Sequence, residues 1–278
     1  MAGAAALSLM LLAACGKSTP ATSPTTPGGT SGSTNPCATP PVNTAGTLLV
    51  GAEFPAPPFE IPPLSNPTGF EVDLINEIAK RLNIGTVKWE NFPFTRAVTV
   101  GLQPPFDLDI NEITITPERA KIVDFSAPYF DANQGLMVRN GTPIASVTSI
   151  AGLKTYQLGG QATTTGVAYI KSTIKPDKPP REFDTTTAAA NALVLAKSID
   201  GFVIDVPIAI GLTKEPAYPN TSVVGQFITN EQYGILFKKG SPLVSCVNQA
   251  IAAIKGDGTL TTLQDKWFPG ITQVPTFS

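Results

Sequence analysis

The sequence contains no histidine, and this absence removes several kinds of chemistry. Histidine is the commonest general base, the usual partner of a nucleophilic serine or cysteine, and a frequent metal ligand. Charged residues make up only 14% of the chain and the net charge is −2, so no basic surface for nucleic acid is indicated. With 278 residues, 42% of them hydrophobic, the chain is long enough for a large core and two modest lobes.

Apolar runs of membrane-spanning length are also lacking. Residues 2–14 are small and apolar and end in Leu12-Ala13-Ala14-Cys15, but a spanning helix needs roughly 20 such residues. The stretch fits a secretory signal peptide better. Residues 1–15 resemble a bacterial lipoprotein signal, in which Cys15 becomes the lipidated first residue after cleavage. The alternative is a buried helix with an incidental cysteine.

The segment 16–45 has few large apolar residues and is rich in serine, threonine, proline and glycine. Such a composition cannot bury enough apolar surface to offset the entropy lost on ordering. We therefore expect a flexible tether that lets the following domain move between the cell envelope and a membrane partner.

Cysteines are scarce, with three in the chain. If lipid occupies Cys15, Cys37 and Cys246 remain in a compartment where disulfides persist. A Cys37–Cys246 disulfide would fasten the end of the tether to a late helix. Two free thiols are the alternative.

From Gly46 onward, predicted strands and helices alternate. Strands are predicted at 47–51, 106–115, 153–159 and 201–205, and helices at 70–82, 164–170, 243–254 and 259–267, with further helix starts at Thr116-Pro117 and Pro207. This order predicts an α/β fold with mainly parallel sheets and crossover helices. In such sheets, ligands bind at the carboxyl ends of the strands.

The first candidate position for a ligand is Thr114-Ile115-Thr116-Pro117-Glu118-Arg119. Thr116 suits an N-cap and Pro117 the first helical turn, which places Arg119 where its charge opposes the helix dipole. A bound anion would reverse that penalty, because arginine grips a carboxylate with two parallel hydrogen bonds. Alternatively, Arg119 is solvated and pairs with Glu118 or Asp124.

Two further positions follow predicted strands. The stretch 160–166, Gly-Gln-Ala-Thr-Thr-Thr-Gly, offers backbone N–H groups and hydroxyls before a helix, which suits an anion or an ordinary capped turn. Asp205 closes an apolar strand, where it would meet an ammonium group or cap the helix at Pro207. Together, an arginine, an N–H cradle and an aspartate match the two ends of an α-amino acid.

Several motifs in order along residues 47–268 resemble one family, the extracellular solute-binding proteins (family 3 type) of polar-amino-acid ABC transporters. The matching stretches are Pro57-Pro58-Phe59-Glu60, Gly69-Phe70-Glu71-Val72-Asp73-Leu74, Ile115-Thr116-Pro117-Glu118-Arg119, 123–130, 161–165, Glu231-Gln232-Tyr233-Gly234 and Asp257-Gly258-Thr259-Leu260. The resemblance implies a two-lobed periplasmic-binding-protein fold of type II that closes on its ligand like a hinged trap. Lobe 1 would hold 46–131 and 232–278, and lobe 2 would hold 132–231. The chain would cross between them near 131–134 and 228–233.

The same resemblance implies roles for individual residues. Arg119 would bind the α-carboxylate of the ligand, and the helping residues would be Thr114, Thr164 and Thr165. Asp205 would bind the α-ammonium, Phe59 and Phe94 would sandwich the stem of the side chain, and Glu53 would meet its end. The sequence departs from the family pattern at Ala56, Glu112 and Asp109.

The charges in this predicted site favour a cationic ligand. The α-carboxylate would cancel Arg119 and the α-ammonium would cancel Asp205, which leaves Glu53 and Glu112 unpaired in a poorly hydrated cleft. Arginine, lysine or ornithine would supply the missing charge. If Arg96 points into the cleft it cancels one acid, and glutamine or even glutamate then fits as well. Alternatively, both acids are solvated or bonded to backbone N–H groups and have no influence.

The family resemblance also implies partners: an ABC permease with its ATPase, and the outer face of the cell membrane through the lipid. We expect a monomer without cofactor, metal or catalysis. Asp107, Asp109, Asn111 and Glu118 have calcium-loop spacing, but Glu112 stands where that loop requires glycine. Two other functions stay open: a cyclohexadienyl-dehydratase-like enzyme with Glu112 as proton donor, and an extracellular sensor module, which would need a membrane helix and an intracellular domain.

Overall fold

The computed structural model describes residues 37–269 and 274–278. The predicted signal peptide, Cys15 and the tether up to residue 36 lie outside these residues. Within the described ranges, the helices are too short or too polar to cross a bilayer.

The first lobe is built on a five-stranded sheet with the order β2-β1-β3-β10-β4. Its strands are β1 (Thr47–Ala52), β2 (Thr86–Asn91), β3 (Leu108–Asp109), β4 (Val123–Phe125) and β10 (Leu236–Lys238), and its helices are α1 (Phe70–Arg81), α2 (Phe94–Val100), α6 (Leu243–Gly256) and α7 (Thr259–Trp267). β1 pairs in parallel with β2 and β3, whereas β10 is antiparallel to its neighbours. The predicted spacing in α1 is confirmed, since Val72, Ile75 and Ile78 are buried.

The second lobe has another five-stranded sheet, with the order β7-β6-β8-β5-β9. The strands are β5 (Phe130–Arg139), β6 (Leu158–Gln161), β7 (Arg181–Phe183), β8 (Gly201–Asp205) and β9 (Thr221–Tyr233), and the helices are α3 (Thr165–Tyr169), α4 (Thr186–Val194) and α5 (Val206–Lys214). β6 is parallel to β7 and β8, while β5 runs antiparallel to β8 and β9. Both sheets are therefore mixed, and the predicted α/β fold of two lobes is confirmed.

Short turns of other helix types complete the chain: 3₁₀ turns at Arg119–Lys121, Pro143–Ser146 and Ala151–Leu153, and a π turn at Ile170–Ile174. Two predicted elements are shorter than expected. The predicted strand 106–115 is reduced to β3, because the chain turns at Glu112 with a left-handed φ of 46°. The helix expected at Thr116-Pro117 is a single 3₁₀ turn at Arg119–Lys121. Arg119 therefore does not lie in the first turn of an α-helix, and its charge does not oppose a helix dipole.

Two antiparallel strands carry the chain between the lobes. β5 and β9 pair from Phe130↔Tyr233 to Arg139↔Thr221, and the first of these pairs lies next to the first sheet, where Tyr129 N donates to Tyr233 O. The end of the chain also reaches the second lobe. Thr276 bridges to Gln226, although the predicted boundaries put the segment 232–278 in lobe 1.

The described part of the predicted tether, residues 37–45, is fixed to the first lobe. Cys37 and Cys246 form a disulfide with a Cα–Cα distance of 5.3 Å, which joins this segment to α6. The backbone N–H of Asn43 also donates to a carboxylate oxygen of Asp107, with 2.6 Å between nitrogen and oxygen. The described residues 37–45 of the predicted tether are therefore not a flexible link.

The lobes are in contact at a glycine. Gly211 on α5 packs against Pro57 and Pro58 of the first lobe, and a Cβ at this position would overlap the Pro57 carbonyl oxygen and lie 2.6 Å from Pro58 Cδ. The closed arrangement thus requires a residue without a side chain at 211.

We expect Gly211→Ala to hold the lobes apart. The ligand-free variant should have a larger radius of gyration by small-angle scattering, and its apparent affinity should fall about tenfold if one chain in ten can still close. Its free energy of unfolding should not fall, because alanine favours a helix over glycine by about 1 kcal/mol. Gly256→Ala is the matched control, since no atom lies near its Cβ position. A radius of gyration equal to that of the wild type would show that Gly211 does not limit closure.

Candidate ligand-binding site

A cavity of about 570 Å³, including its mouth, lies between the two sheets. Residues of both lobes line it: Glu53, Pro55, Ala56, Phe94, Asn111, Glu112, Thr114 and Arg119 from the first, and Gln134, Gln161, Thr164, Thr165, Thr186, Phe202, Val203, Ile204, Asp205 and Ile208 from the second. Clefts between two lobes that are lined by a few convergent polar groups commonly bind small molecules.

The sheet topology explains why distant residues meet at this cavity. Gln161 ends β6 and Asp205 ends β8, and these two strands are parallel neighbours. Glu53 directly follows β1 in the other lobe. Because carboxyl ends of parallel strands share one edge of a sheet, both lobes present polar residues to the same space.

Arg119 is the cationic side chain among the described residues lining the cavity, and it is 7% exposed. Its Nη1 donates to Thr114 O at 2.7 Å, and its Nη2 donates across the cleft to Thr163 O at 3.1 Å. The guanidinium carbon lies 5.3 Å from the centre of the Phe94 ring. Burial lowers the pKa of Arg119 to about 10, although the negative charges of Asp205 and Glu231 act to raise it. The guanidinium therefore remains cationic at neutral pH.

Hydroxyl groups surround the same position. Thr164 caps α3, its Oγ1 accepting from Val167 N at 3.2 Å. Thr165 Oγ1 and Thr114 Oγ1 both donate to Glu231, whose carboxylate lies beside the cavity wall. The structure thus brings Thr114, Thr164 and Thr165 to the site as predicted from the sequence, but all three hydroxyls already donate to an acceptor: those of Thr114 and Thr165 to Glu231, and that of Thr164 to Gln161 O at 2.7 Å.

Asp205 does not cap α5, since its side chain makes no bond to the first turn of the helix. Instead its carboxylate accepts from Gln134 Nε2. Burial is the main cause that raises the pKa of Asp205 well above its ordinary value, and the nearby Glu231 adds to the rise. A cation placed here would relieve this cost.

Glu53 is not the unpaired acid that the sequence suggested. One oxygen accepts from Phe94 N at 3.0 Å, and the other accepts from Gln161 Nε2 of the second lobe, also at 3.0 Å. Burial nevertheless raises the pKa of Glu53. Glu53 therefore links the two lobes, and Glu112 is the acid of the two that is left to attract a cationic side chain.

Glu112 connects the cavity to a buried group of acids. One oxygen each of Glu60, Glu71 and Glu112 lies within 4.8 Å of the other two, and all three side chains are buried. Glu71 accepts from the Tyr129 hydroxyl and, at 3.2 Å, from Glu112 N. Glu112 Oε1 and both oxygens of Glu60 have no hydrogen-bond partner among the described residues. Loss of water and mutual repulsion raise the pKa values of Glu60 and Glu112 well above 4.5.

We expect this acidic group to make the ligand-free protein less stable as the pH rises. Above pH 4.5 the unfolded chain releases protons that the folded chain keeps, so the free energy of unfolding falls by about 1.4 kcal/mol per pH unit for each retained proton. The free energy of unfolding stops falling once the pH exceeds the raised pKa of the carboxyl group concerned. Glu112→Gln should flatten the slope in denaturant titrations between pH 5 and 8, whereas the exposed Glu118→Gln should not. A wild-type stability that rises over this range would contradict the expectation.

Two predicted site residues lie elsewhere. Phe59 is fully buried in an aromatic cluster with Phe70, Phe130, Tyr233 and Phe268, so it supports the core and does not sandwich a ligand. Arg96 is exposed and stacks on Phe92, with 5.7 Å between the guanidinium carbon and the ring centre. Arg96 therefore cannot cancel an acid in the cavity.

Some site residues were not predicted. Gln134 lies on β5 and Glu231 on β9, the strands that join the lobes. Glu231 stands in a stretch that matches the family, but the resemblance implied no ligand contact for it or for Gln134. Gln161 belonged to the glycine- and threonine-rich stretch that was selected, yet its amide contact to Glu53 depends on how the two lobes meet.

Comparison with known proteins agrees with this architecture. The model of bacterial extracellular solute-binding proteins, family 3, matches residues 48–270. The L-cystine-binding protein TcyJ of Escherichia coli is 30% identical, over 82% of this chain and 84% of its own. The glutamine-binding protein GlnH of Bacillus subtilis is 31% identical, over 73% and 76%. An ancestral arginine-binding protein bound to arginine superposes with a TM-score of 0.70 and 33% identity, over 80% of this chain and 98% of that one.

Proposed function

Because the chain belongs to family 3 of the bacterial extracellular solute-binding proteins, we propose that it captures a polar amino acid between its lobes for an ABC importer. The observation that carries the proposal is the placement of Arg119 and Asp205 in one cavity, with threonine hydroxyls beside them. A cation and an anion held apart in this way match a zwitterion.

The contacts support a role for each residue in this proposal. Arg119 binds the α-carboxylate through guanidinium N–H groups, with Thr114 and Thr165 as further donors. Asp205 binds the α-ammonium, which also relieves the cost of its own burial. Phe94, already under the guanidinium, forms one apolar wall for the stem of the ligand side chain. The hinge lies where β5 and β9 leave the first sheet, near residues 131–134 and 228–233, and lobe 2 comprises the chain between them.

The side chain of the ligand is best matched by a cation, such as that of arginine, lysine or ornithine. Relatives are named for cystine, glutamine and arginine, so their names do not select one ligand. Among the cavity-lining residues described, Glu53, Glu112 and Asp205 stand against Arg119 alone. A positive side chain near Glu112 would be attracted by the acidic group behind it.

Calorimetry against arginine, lysine, ornithine, glutamine, glutamate and cystine tests two proposals: that the protein binds an amino acid, and that the side chain of this ligand is a cation. We expect one site per chain and tighter binding of arginine or lysine than of glutamate. Glutamate as the tightest ligand would overturn the charge argument and leave amino-acid capture intact. Failure of every amino acid would overturn the function itself.

The remaining parts of the proposal concern the protein in the cell. It works outside the cytoplasm as a monomer, carries lipid on Cys15 at the outer face of the cell membrane, delivers its ligand to a permease with an ATPase, and performs no chemistry on it. Intact mass spectrometry of native protein should show a diacylglycerol mass on the mature chain. Release of unchanged ligand after denaturation would support binding without turnover, whereas conversion of arogenate or prephenate would favour a dehydratase.

A further inference from the structure

Glu231 makes an unusual set of contacts for a hinge residue. Its Oε2 accepts from Thr114 Oγ1 at 2.7 Å and from Thr165 Oγ1 at 2.6 Å, and its Oε1 accepts from Gln134 Nε2 at 3.1 Å. Thr114 belongs to the first lobe and Thr165 to the second. One carboxylate oxygen therefore joins the two lobes through two hydroxyl groups.

We propose that Glu231 is an internal competitor of the ligand, whose carboxylate takes the two threonine hydroxyls that the α-carboxylate of an amino acid would otherwise use. This rests on the proposed function, which assigns Thr114 and Thr165 to the ligand. It adds that binding an amino acid requires Glu231 to give up these hydroxyls, so that Glu231 sets the affinity without being a ligand contact.

Hydrogen-bond capacity makes the two occupants exclusive. Each threonine hydroxyl has a single proton to donate, and both protons point to Glu231 Oε2 in the described structure. A second carboxylate placed against the same hydroxyls would meet oxygen lone pairs and a like charge. Arg119 uses two of its five N–H donors on backbone carbonyls, which leaves three for a ligand.

Glu231 also acts on the ligand-free protein. Its bonds to both lobes favour the closed arrangement, in which Glu53 and Gln161 are also bonded across the cleft. Removing the whole side chain, as in Glu231→Ala, should therefore release the lobes, whereas Glu231→Gln keeps an oxygen that accepts from both hydroxyls and loses only the charge.

Binding measurements on Glu231→Gln test the competition directly. The amide oxygen holds the hydroxyls less strongly than a carboxylate does, so we expect L-arginine and L-glutamine to bind about tenfold more tightly, since a charged acceptor exceeds a neutral one by roughly that factor. The matched control is Asp131→Asn, an exposed hinge carboxylate that accepts from Gln232 Nε2 at 2.9 Å, and it should bind as the wild type does. Equal or weaker binding by Glu231→Gln would overturn the proposal, and a tenfold loss would make Glu231 a ligand contact, for example to the ammonium group.

Small-angle scattering of ligand-free Glu231→Ala gives a readout that needs no ligand. We expect a larger radius of gyration than in the wild type or in Asp131→Asn, because the two hydrogen bonds by which Glu231 joins the lobes are lost. An unchanged radius of gyration would overturn the proposal. If no amino acid binds any of these proteins, the proposed function fails, and the scattering result still decides whether Glu231 holds the lobes together.

Discussion

Replacing Arg119 by alanine is expected to weaken amino-acid binding by roughly 30-fold to several thousandfold, which corresponds to about 2–5 kcal/mol. The guanidinium is almost fully buried and remains cationic, so its loss leaves the α-carboxylate of the ligand unpaired in a poorly hydrated cleft. The variant also loses the cross-cleft bond to Thr163 O, and its closed form is less favoured for that reason.

Two further variants separate these effects in calorimetric titrations. Arg119→Lys keeps the charge but lacks the forked donors, so it should recover only part of the affinity. Arg96→Ala removes an exposed arginine that lies outside the cavity, and it should bind as the wild type does. Unchanged affinity in Arg119→Ala would show that the carboxylate is bound elsewhere.

Asp205→Asn is expected to cause a loss of similar size, about 2–5 kcal/mol, because the ammonium group of the ligand would be buried without an anion. The amide keeps the volume of the side chain, so the fold should survive. Asp177→Asn, an exposed change on the same lobe, is the control.

The pH dependence of binding gives an independent check on Asp205. Its pKa is raised above the usual range by burial, and only the ionised form pairs with an ammonium group. Affinity of the wild type should therefore fall as the pH is lowered, beginning at a higher pH than for an exposed aspartate. Asp205→Asn should lose this part of the pH dependence. A profile unchanged by the substitution would remove Asp205 from the site.

Sequence periodicity predicted the helices and strands that bury one face and whose first and last residues are marked by glycine or polar residues. α7 and β8 have the bounds that were predicted for them. Gly258 directly precedes α7, and β8 begins at Gly201 and ends at Asp205. The long pair of β5 and β9 was not predicted as strands, since polar residues interrupt both and their register depends on bulges near residues 132–134 and 136–137. The predicted strand 106–115 failed at Glu112, where the backbone takes a conformation that favours glycine.

In the candidate site, too, some residues could be predicted from the sequence and others could not. Thr114 and Arg119 could be proposed for the site from the stretch that contains them, and Asp205 from its position at the end of an apolar strand, whatever the details of packing. Arg96 could not, because it lies two residues after Phe94 on α2, and side chains at that spacing point to different faces of a helix. Glu231 required the tertiary structure, since only the meeting of both lobes brings Thr114 and Thr165 to one carboxylate.

The central claim, capture of an amino acid between the lobes, is tested most directly by the unfolding free energy of the wild type with each of the twenty L-amino acids. A ligand that binds only the folded protein stabilises it by about 2.7 kcal/mol at a hundredfold excess over its dissociation constant. We predict a stabilisation of this size for at least one polar amino acid, and its loss in Arg119→Ala. No change in stability with any of the twenty would contradict the account.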